Sequence, residues 1–227
     1  LLIHQKEITS LPAKPSPSAA AFLGLYHHCV FPYLLDFAMS SKVFRQPRRR
    51  TLAGASGRIL EIGFGTGMNL QHYPSSVRRI EAIDPDVDLD RFSAPRIAAS
   101  SIDVDFHHLD AEHLPFAADS FDTVVCTLTL CSIPDAEHAL REVRRVLKPG
   151  GRFLFLEHGL APDPGVARWQ HRLTPLQRRI GGGCHLDRPT AQLVSGSGMT
   201  LQGMRNYYLK RLPRFVGYVT EGAAIKQ

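Results

Sequence analysis

Along this chain apolar residues gather in short blocks, and the blocks change period as they go. Leu60-Glu61-Ile62 opens an apolar strand, and RRIEAID (Arg78–Asp84), DVDFHHLD (Asp103–Asp110), FDTVVCTLTL (Phe121–Leu130) and RFLFLEH (Arg152–His158) read as four more. The near-continuous apolar run of the fourth is the kind that parallel sheets bury on both faces. Before the fifth, Ala136–Leu147 switches to the helical period, with Ala136, Ala139, Leu140, Val143, Val146 and Leu147 on one face. Pro149-Gly150-Gly151 is expected to stop that helix. Strands alternating with helices through short connections predict a right-handed parallel sheet covered on both faces, with ligands outside the carboxyl ends of the strands. Two further β-like stretches, MRNYYL and FVGYVTEGAAI, lie within Thr200–Lys226 and are separated by a turn signal at Pro213. With one of them antiparallel, the expectation is an α/β fold: a doubly wound, seven-stranded, mostly parallel sheet.

Chemistry enters where the first strand ends. Gly63, Gly65 and Gly67 alternate through GFGTG, where a side chain would strain the turn or occupy a ligand's space. A dinucleotide fingerprint needs glycine at its first, third and sixth positions. The sixth position here is Met68, and no Gly-Lys-Ser/Thr of a phosphate loop follows. Asp84 closes the second strand about twenty residues past the first glycine, where doubly wound folds place a ribose-binding carboxylate. Each charge-assisted hydrogen bond to a ribose hydroxyl contributes roughly 1.5 to 3 kcal/mol. Asp110-Ala111-Glu112 closes the third strand and offers an acid to the amino group of an adenine.

Two segments fall outside this core. Ala20–Ser41 reads as one or two amphipathic helices broken near Pro32, with Phe22, Tyr26, Phe31, Tyr33 and Phe37. Pro162–Leu186 follows the fifth strand and carries Trp169, His171, Leu173 and a Gly181-Gly182-Gly183 hinge. Each is expected to fold across the strand ends as a lid that excludes water. Apolar flaps over a crevice imply a small, fairly lipophilic substrate. The expected organisation is a flexible tail over 1–18 and one domain over 19–227. Within that domain fall a helical cap (19–57), a cofactor-binding core (58–158), a lid insertion (159–190) and a C-terminal helix and strands (191–227).

Composition adds limits rather than detail. With 227 residues, 44% hydrophobic and 21% charged, the chain suits a single globular domain. Net charge runs +5 over residues 1–57, −6 over 58–157 and +7 over 158–227. No nucleic-acid motif accompanies the basic flanks, so no nucleic-acid partner is expected. KVFRQPRRR (Lys42–Arg50) is the stretch suited to an anionic membrane surface, with Phe44 inserting and the arginines meeting headgroups. Cys29, Cys126, Cys131 and Cys184 show no CxxC spacing and read as reduced thiols. His107-His108 and His113 lack a ligand set at metal spacing, so no metal is expected. No signal peptide is read, and Ala19–Met39 is interrupted by His27, His28, Pro32 and Asp36. The expected location is the cytoplasm, with peripheral membrane contact as an added expectation.

LEIGFGTG, Asp84, Asp110-Ala111-Glu112, Asp119-Ser120-Phe121-Asp122 and LKPGGRFLFLEH together resemble the class I S-adenosylmethionine-dependent methyltransferases. FLGL, FPYLL, GTGMN, IDPD, VVCTLTLCS, Gly183-Cys184 and Gly217-Tyr218 are similar to the alkyl-thiol S-methyltransferases and their bacterial relatives, over about residues 22–226. The resemblance implies S-adenosylmethionine as cofactor, S-adenosylhomocysteine as product, and a small-molecule acceptor. It implies a cofactor site built from Glu61, Gly63, Phe64, Gly65, Thr66, Gly67, Asn69, Asp84, Pro85, Asp110, Ala111, Glu112, Cys126 and Leu128. His158, at the carboxyl end of the fifth strand, is the first candidate for a base, and His28 the second. The leading expectation is methyl transfer to a thiol. A membrane-surface lipid or quinone methyltransferase and a non-catalytic cofactor-binding module are the alternatives.

Overall fold

The computed structural model describes residues 17–227. The expected tail, 1–18, therefore lies outside the described residues except for its last two, which begin the first helix. Helices α1 (Pro17–Cys29), α2 (Phe31–Met39) and α3 (Arg45–Leu52) precede strand β1 (Ile59–Ile62). There follow β2 (Arg79–Ile83), α4 (Asp90–Ala98), β3 (Asp103–His107), β4 (Phe121–Thr127), α5 (Ala136–Val146) and β5 (Leu147–His158). The chain continues through α6 (Pro164–Ile180), α7 (Thr190–Gly196), β6 (Thr200–Tyr208), a short α8 (Arg214–Gly217) and β7 (Tyr218–Ile225). The helical break in the N-terminal segment falls at Val30, and Pro32 sits in the first turn of α2, where its missing N–H costs nothing.

The strands form one sheet in the order β3-β2-β1-β4-β5-β7-β6. β7 pairs antiparallel with both β5 and β6, while the pairs from β3 to β5 are parallel. The seven-stranded, mostly parallel sheet is thus as expected, with β7 as the reversed strand. One detail differs. The helix expected to end at Leu147 ends at Val146, because Leu147 already pairs with Phe121 and Lys226 takes up the backbone of Gly150 and Gly151. After the glycine loop comes a one-turn 3-10 helix, Leu70–His72.

Both sheet faces are covered, which explains the unbroken apolar strands. On one face α5 and α7 pack Leu140, Val143 and Val194 against Phe121, Phe153 and Phe155. On the other, Leu52 of α3 and Ile97 of α4 pack with Ile59, Ile80 and Leu154. Each fully buried phenylalanine contributes about 1.5 to 3 kcal/mol over its exposed state. α5 begins at Asp135, whose carboxylate accepts the His138 N–H at 2.9 Å. This core holds the carboxyl ends of β1, β2 and β4 side by side, and α2 and the end of α6 close over them. Among the described residues no helix is long and apolar enough to cross a membrane.

Candidate active site

The glycine loop after β1 takes its shape from three left-handed residues: φ is +72° at Gly63, +56° at Gly65 and +76° at Gly67. A Cβ on Gly63 would stand 2.1 Å from the Thr129 side chain, so glycine is needed there for space as well as for φ. A Cβ on Gly65 would meet only the Gly63 carbonyl at 4.0 Å, and Gly65 lines a cavity of 260 Å³. Asp84, at the end of β2, is buried against this loop. Its Oδ2 accepts the Gly65 N–H at 2.7 Å and its Oδ1 the Asp86 N–H at 3.0 Å. Burial raises its pKa above the ordinary carboxylate value, opposed by these two backbone hydrogen bonds. Each oxygen keeps a further lone pair, enough for two ribose hydroxyls.

Asp110, Ala111 and Glu112 line the same cavity after β3. Asp110 Oδ1 accepts the N–H groups of Glu112 and His113, both at 2.9 Å, which rigidifies the turn. Leu128, at φ +57°, continues the wall after β4 with Thr127 and Thr129. The roof comes from the two flanks: Phe31, Leu35 and Met39 recur on one face of α2, and Gly181 and Gly182 follow α6. Tyr26 donates to the Ile180 carbonyl at 2.9 Å, and His27 Nε2 meets that of Arg179 at 2.8 Å, so α1 fastens the two roof pieces together. Both segments contribute residues to the cavity lining. Of the aromatics named there, only Phe31 reaches the cavity. Trp169 is exposed, and His171 pairs with Asp187 outside.

Below the cavity lies a polar network that the sequence did not announce. Arg48 of α3 is 5% exposed and lines the cavity. Its Nη1 donates to Asn69 Oδ1 at 2.6 Å and to Thr127 Oγ1 at 3.1 Å. Asn69 Nδ2 donates in turn to Glu61 Oε1 at 2.8 Å, and Tyr73 donates its hydroxyl to Glu61 Oε2 at 2.6 Å. Desolvation lowers the Arg48 pKa to about 10, against the pull of Glu61 and Glu157. Burial likewise pushes Glu61 up to about 7, although the hydrogen bonds from Tyr73 and Asn69 oppose it. Arg48 Nε is buried without a partner and Nη1 is shared, so its cation is available to an anionic group in the cavity.

Several expectations change here. Within Lys42–Arg50, Phe44 is not free to insert, being buried with Leu156, Leu209 and Val219, and Arg48 sits in the site, while Arg45 and Arg49 stay exposed and Arg50 pairs with Glu221 at 2.9 Å. Glu61 and Gly67 support the glycine loop from behind and do not line the cavity. Cys126 is also behind the wall, with Sγ 3.4 Å from Glu157 Oε1. Gly63, Phe64, Gly65, Thr66, Asn69, Asp84, Pro85, Asp110, Ala111, Glu112 and Leu128 do line it. Neither candidate base does. His28 pairs with Asp88 on an exposed surface. His158 is held behind Ser132 and Gly182, its Nε2 3.0 Å from Cys184 Sγ. Burial lowers its pKa, but the neighbouring Cys131 and Glu157 bring it above the ordinary histidine value. Glu157, missed in the sequence, is fully buried and accepts the N–H groups of Thr129 (2.9 Å) and Leu130 (3.0 Å), setting the turn after β4. Desolvation raises it to about 7.

The residues fit an adenosine carrying a carboxylate-bearing tail. The glycine turn leaves open space at Gly65, Asp84 has lone pairs for the ribose, and Arg48 offers an unshared buried donor. A family described as a methyltransferase domain matches residues 60–155. Among solved structures, the N-methyltransferase NodS from Bradyrhizobium japonicum, in complex with S-adenosyl-L-homocysteine, superposes with a TM-score of 0.65 at 16% identity, over 91% of this chain and 97% of that one. Thiol S-methyltransferase TMT1A of Homo sapiens is 37% identical over 229 residues, covering 88% of this chain and 91% of the relative. Thiol S-methyltransferase TMT1B of Rattus norvegicus is 37% identical over 180 residues, covering 70% and 71%. The chain belongs to the class I S-adenosylmethionine-dependent methyltransferases, and S-adenosylmethionine is its cofactor.

Proposed function

We propose that this methyltransferase acts on a small, apolar thiol. The observation that carries the reading is the lining of the cavity: an apolar roof of Phe31, Leu35 and Met39 faces the glycine loop, and among the described lining residues there is no histidine. When bound, S-adenosylmethionine supplies an electrophilic methyl group on a positively charged sulfur. Asp84 and the N–H-rich turn at Gly65 hold the nucleoside, while the Arg48 cation suits the carboxylate of its amino-acid part. The roof places an apolar acceptor opposite and keeps water out. In-line displacement needs an approach of roughly 3 to 3.5 Å more than it needs covalent help. A thiol with a pKa of about 8.5 already supplies some thiolate at neutral pH. A hydroxyl acceptor would require a base, which no imidazole in the lining provides. Similarity to the two thiol S-methyltransferases supports the same acceptor. Incubation with S-adenosylmethionine and a panel of alkyl thiols, phenols and amines tests it. S-adenosylhomocysteine formed with the thiols is expected; formation with phenols or amines alone would overturn the assignment.

A second reading, methylation of a lipid or quinone at a membrane surface, draws on one feature. Phe22, Leu25, Tyr33, Leu34 and Phe37 project exposed apolar surface from α1 and α2, the helices that roof the cavity. Sedimentation with neutral and anionic vesicles separates the two: the second reading needs retention on vesicles, and a protein that stays in the supernatant with both excludes it.

A further inference from the structure

We propose that Cys131, His158 and Cys184 form a binding site for one Zn2+ ion, which ties the segment after α6 to the ends of β4 and β5. The site stands behind the wall of the methyl-transfer cavity, adjoining it at Ser132, and does not depend on the acceptor assigned above. Its three donor atoms come from three separate stretches of chain, yet all lie within 4.8 Å of one another. His158 Nε2 is 3.0 Å from Cys184 Sγ, and both cysteines are buried and free of disulfides. In a tetrahedral zinc site with Zn–S of about 2.3 Å and Zn–N of about 2.0 to 2.1 Å, neighbouring ligand atoms stand roughly 3.4 to 3.8 Å apart. The His158–Cys184 pair, at 3.0 Å, would open by about half an ångström to reach that geometry.

The backbone holds these residues independently of their side-chain contacts with one another. The His185 N–H donates to the Cys131 carbonyl at 2.9 Å, and Thr190 Oγ1 to that of His158 at 3.2 Å. Arg188 Nη1 braces the carbonyls of Leu130 (2.8 Å) and Ile133 (2.5 Å) on either side of Cys131. Such a scaffold limits the ordering cost of binding.

Donor chemistry selects the ion. Two sulfurs and an imidazole suit borderline-soft Zn2+ and disfavour Mg2+ and Ca2+, which take oxygen ligands. The nearby Glu157 Oε1 is already engaged by two backbone N–H groups. On binding, both thiol protons leave to solvent and two S–Zn bonds form, while His158 donates the Nε2 lone pair and keeps its proton on Nδ1. Two thiolates then balance the charge of the ion in a buried setting. Three protein ligands leave the fourth position to water on the side of Ser132, whose hydroxyl stands 3.7 Å from Cys131 Sγ and which belongs to the cavity wall.

The experiment uses the whole chain, stripped with chelator and kept under a non-thiol reductant. Titration with Co2+ is expected to develop sulfur-to-cobalt charge-transfer absorption saturating at one equivalent and reversed by Zn2+. Cys131→Ser and Cys184→Ser are each expected to weaken binding at least tenfold. In the unmodified protein, Zn2+ is expected to slow alkylation of Cys131 and Cys184 at least tenfold while leaving exposed Cys29 unaffected, a readout that needs no variant. Absence of saturable Co2+ absorption, or alkylation of the two cysteines at the same rate with and without Zn2+, would overturn the proposal whatever the outcome of the thiol assays.

Discussion

Arg48 donates to Asn69 through a 2.6 Å hydrogen bond, and that contact joins the basic N-terminal cap to the floor of the cofactor cavity. It makes α3 part of the site: the same guanidinium reaches Thr127 at the end of β4, while Asn69 passes the connection on to Glu61 in β1. A cation, an amide and a carboxylate from three parts of the chain are thereby fixed beneath the ligand.

Replacing Arg48 by methionine keeps much of its volume but leaves the Asn69 carbonyl oxygen without its donor. Leaving a buried polar group unpaired costs about 1 to 3 kcal/mol. R48M is expected to lose stability of that order in denaturant titration and to raise the KM for S-adenosylmethionine at least tenfold. A KM equal to that of the parent would separate Arg48 from the cofactor.

Asp84→Ala removes both the acceptor proposed for the ribose and the acceptor that holds the Gly65 N–H. With roughly 1.5 to 3 kcal/mol for each charge-assisted bond, affinity is expected to fall at least tenfold by calorimetry. Unchanged affinity would take Asp84 out of the site.

Two glycines of one loop should respond differently. Gly63→Ala sets a methyl 2.1 Å from Thr129 at φ +72°, and circular dichroism is expected to show a large loss of thermal stability. In Gly65→Ala the methyl meets no neighbour closer than 4.0 Å, so the protein should stay folded, with cofactor binding reduced at least tenfold. Equal stabilities for the two variants would contradict this account of the loop.

Glu61 sets a pH dependence. Its pKa rises from the ordinary 4.5 to about 7 because burial disfavours the charged form. The folded state therefore binds this proton more tightly than the unfolded chain, so stability falls as pH rises from about 4.5 to about 7 and levels off above. The contribution is roughly 3 kcal/mol. Denaturant titrations at pH 5 and pH 7.5 should show this fall reduced by roughly 2 to 3 kcal/mol in Glu61→Gln. An identical pH difference in parent and variant would mean that Glu61 titrates normally.

The strand ends were readable because their signals are local. Gly63, Gly65 and Gly67 need only their own backbone to reveal a tight turn, and Asp84 follows at a spacing that the β-α-β geometry dictates. The roof was readable as well, since the amphipathic α2 and the glycines after α6 had no place inside the sheet. Position within the sheet was harder to judge. Glu61 looked like a ligand-facing acid, yet β1 lies at the sheet centre, so its side chain is sealed under Asn69 and Tyr73. Lys42–Arg50 looked like a surface, because charge runs normally are. Here α3 packs on the sheet, and its one inward arginine meets Asn69 from the loop after β1 and Thr127 of β4.

The order of apolar and polar residues thus determined the strands, the glycine turn that lines the cavity and the acid beside it, because each rests on interactions between near neighbours in the chain. The tertiary structure alone decided that Arg48 enters the site, that His158 stands behind it, and that Cys131, His158 and Cys184 meet. Those meetings join residues whose separation along the chain carries no period, and only the packing of α3 and α6 against the ends of the sheet brings them within reach of one another.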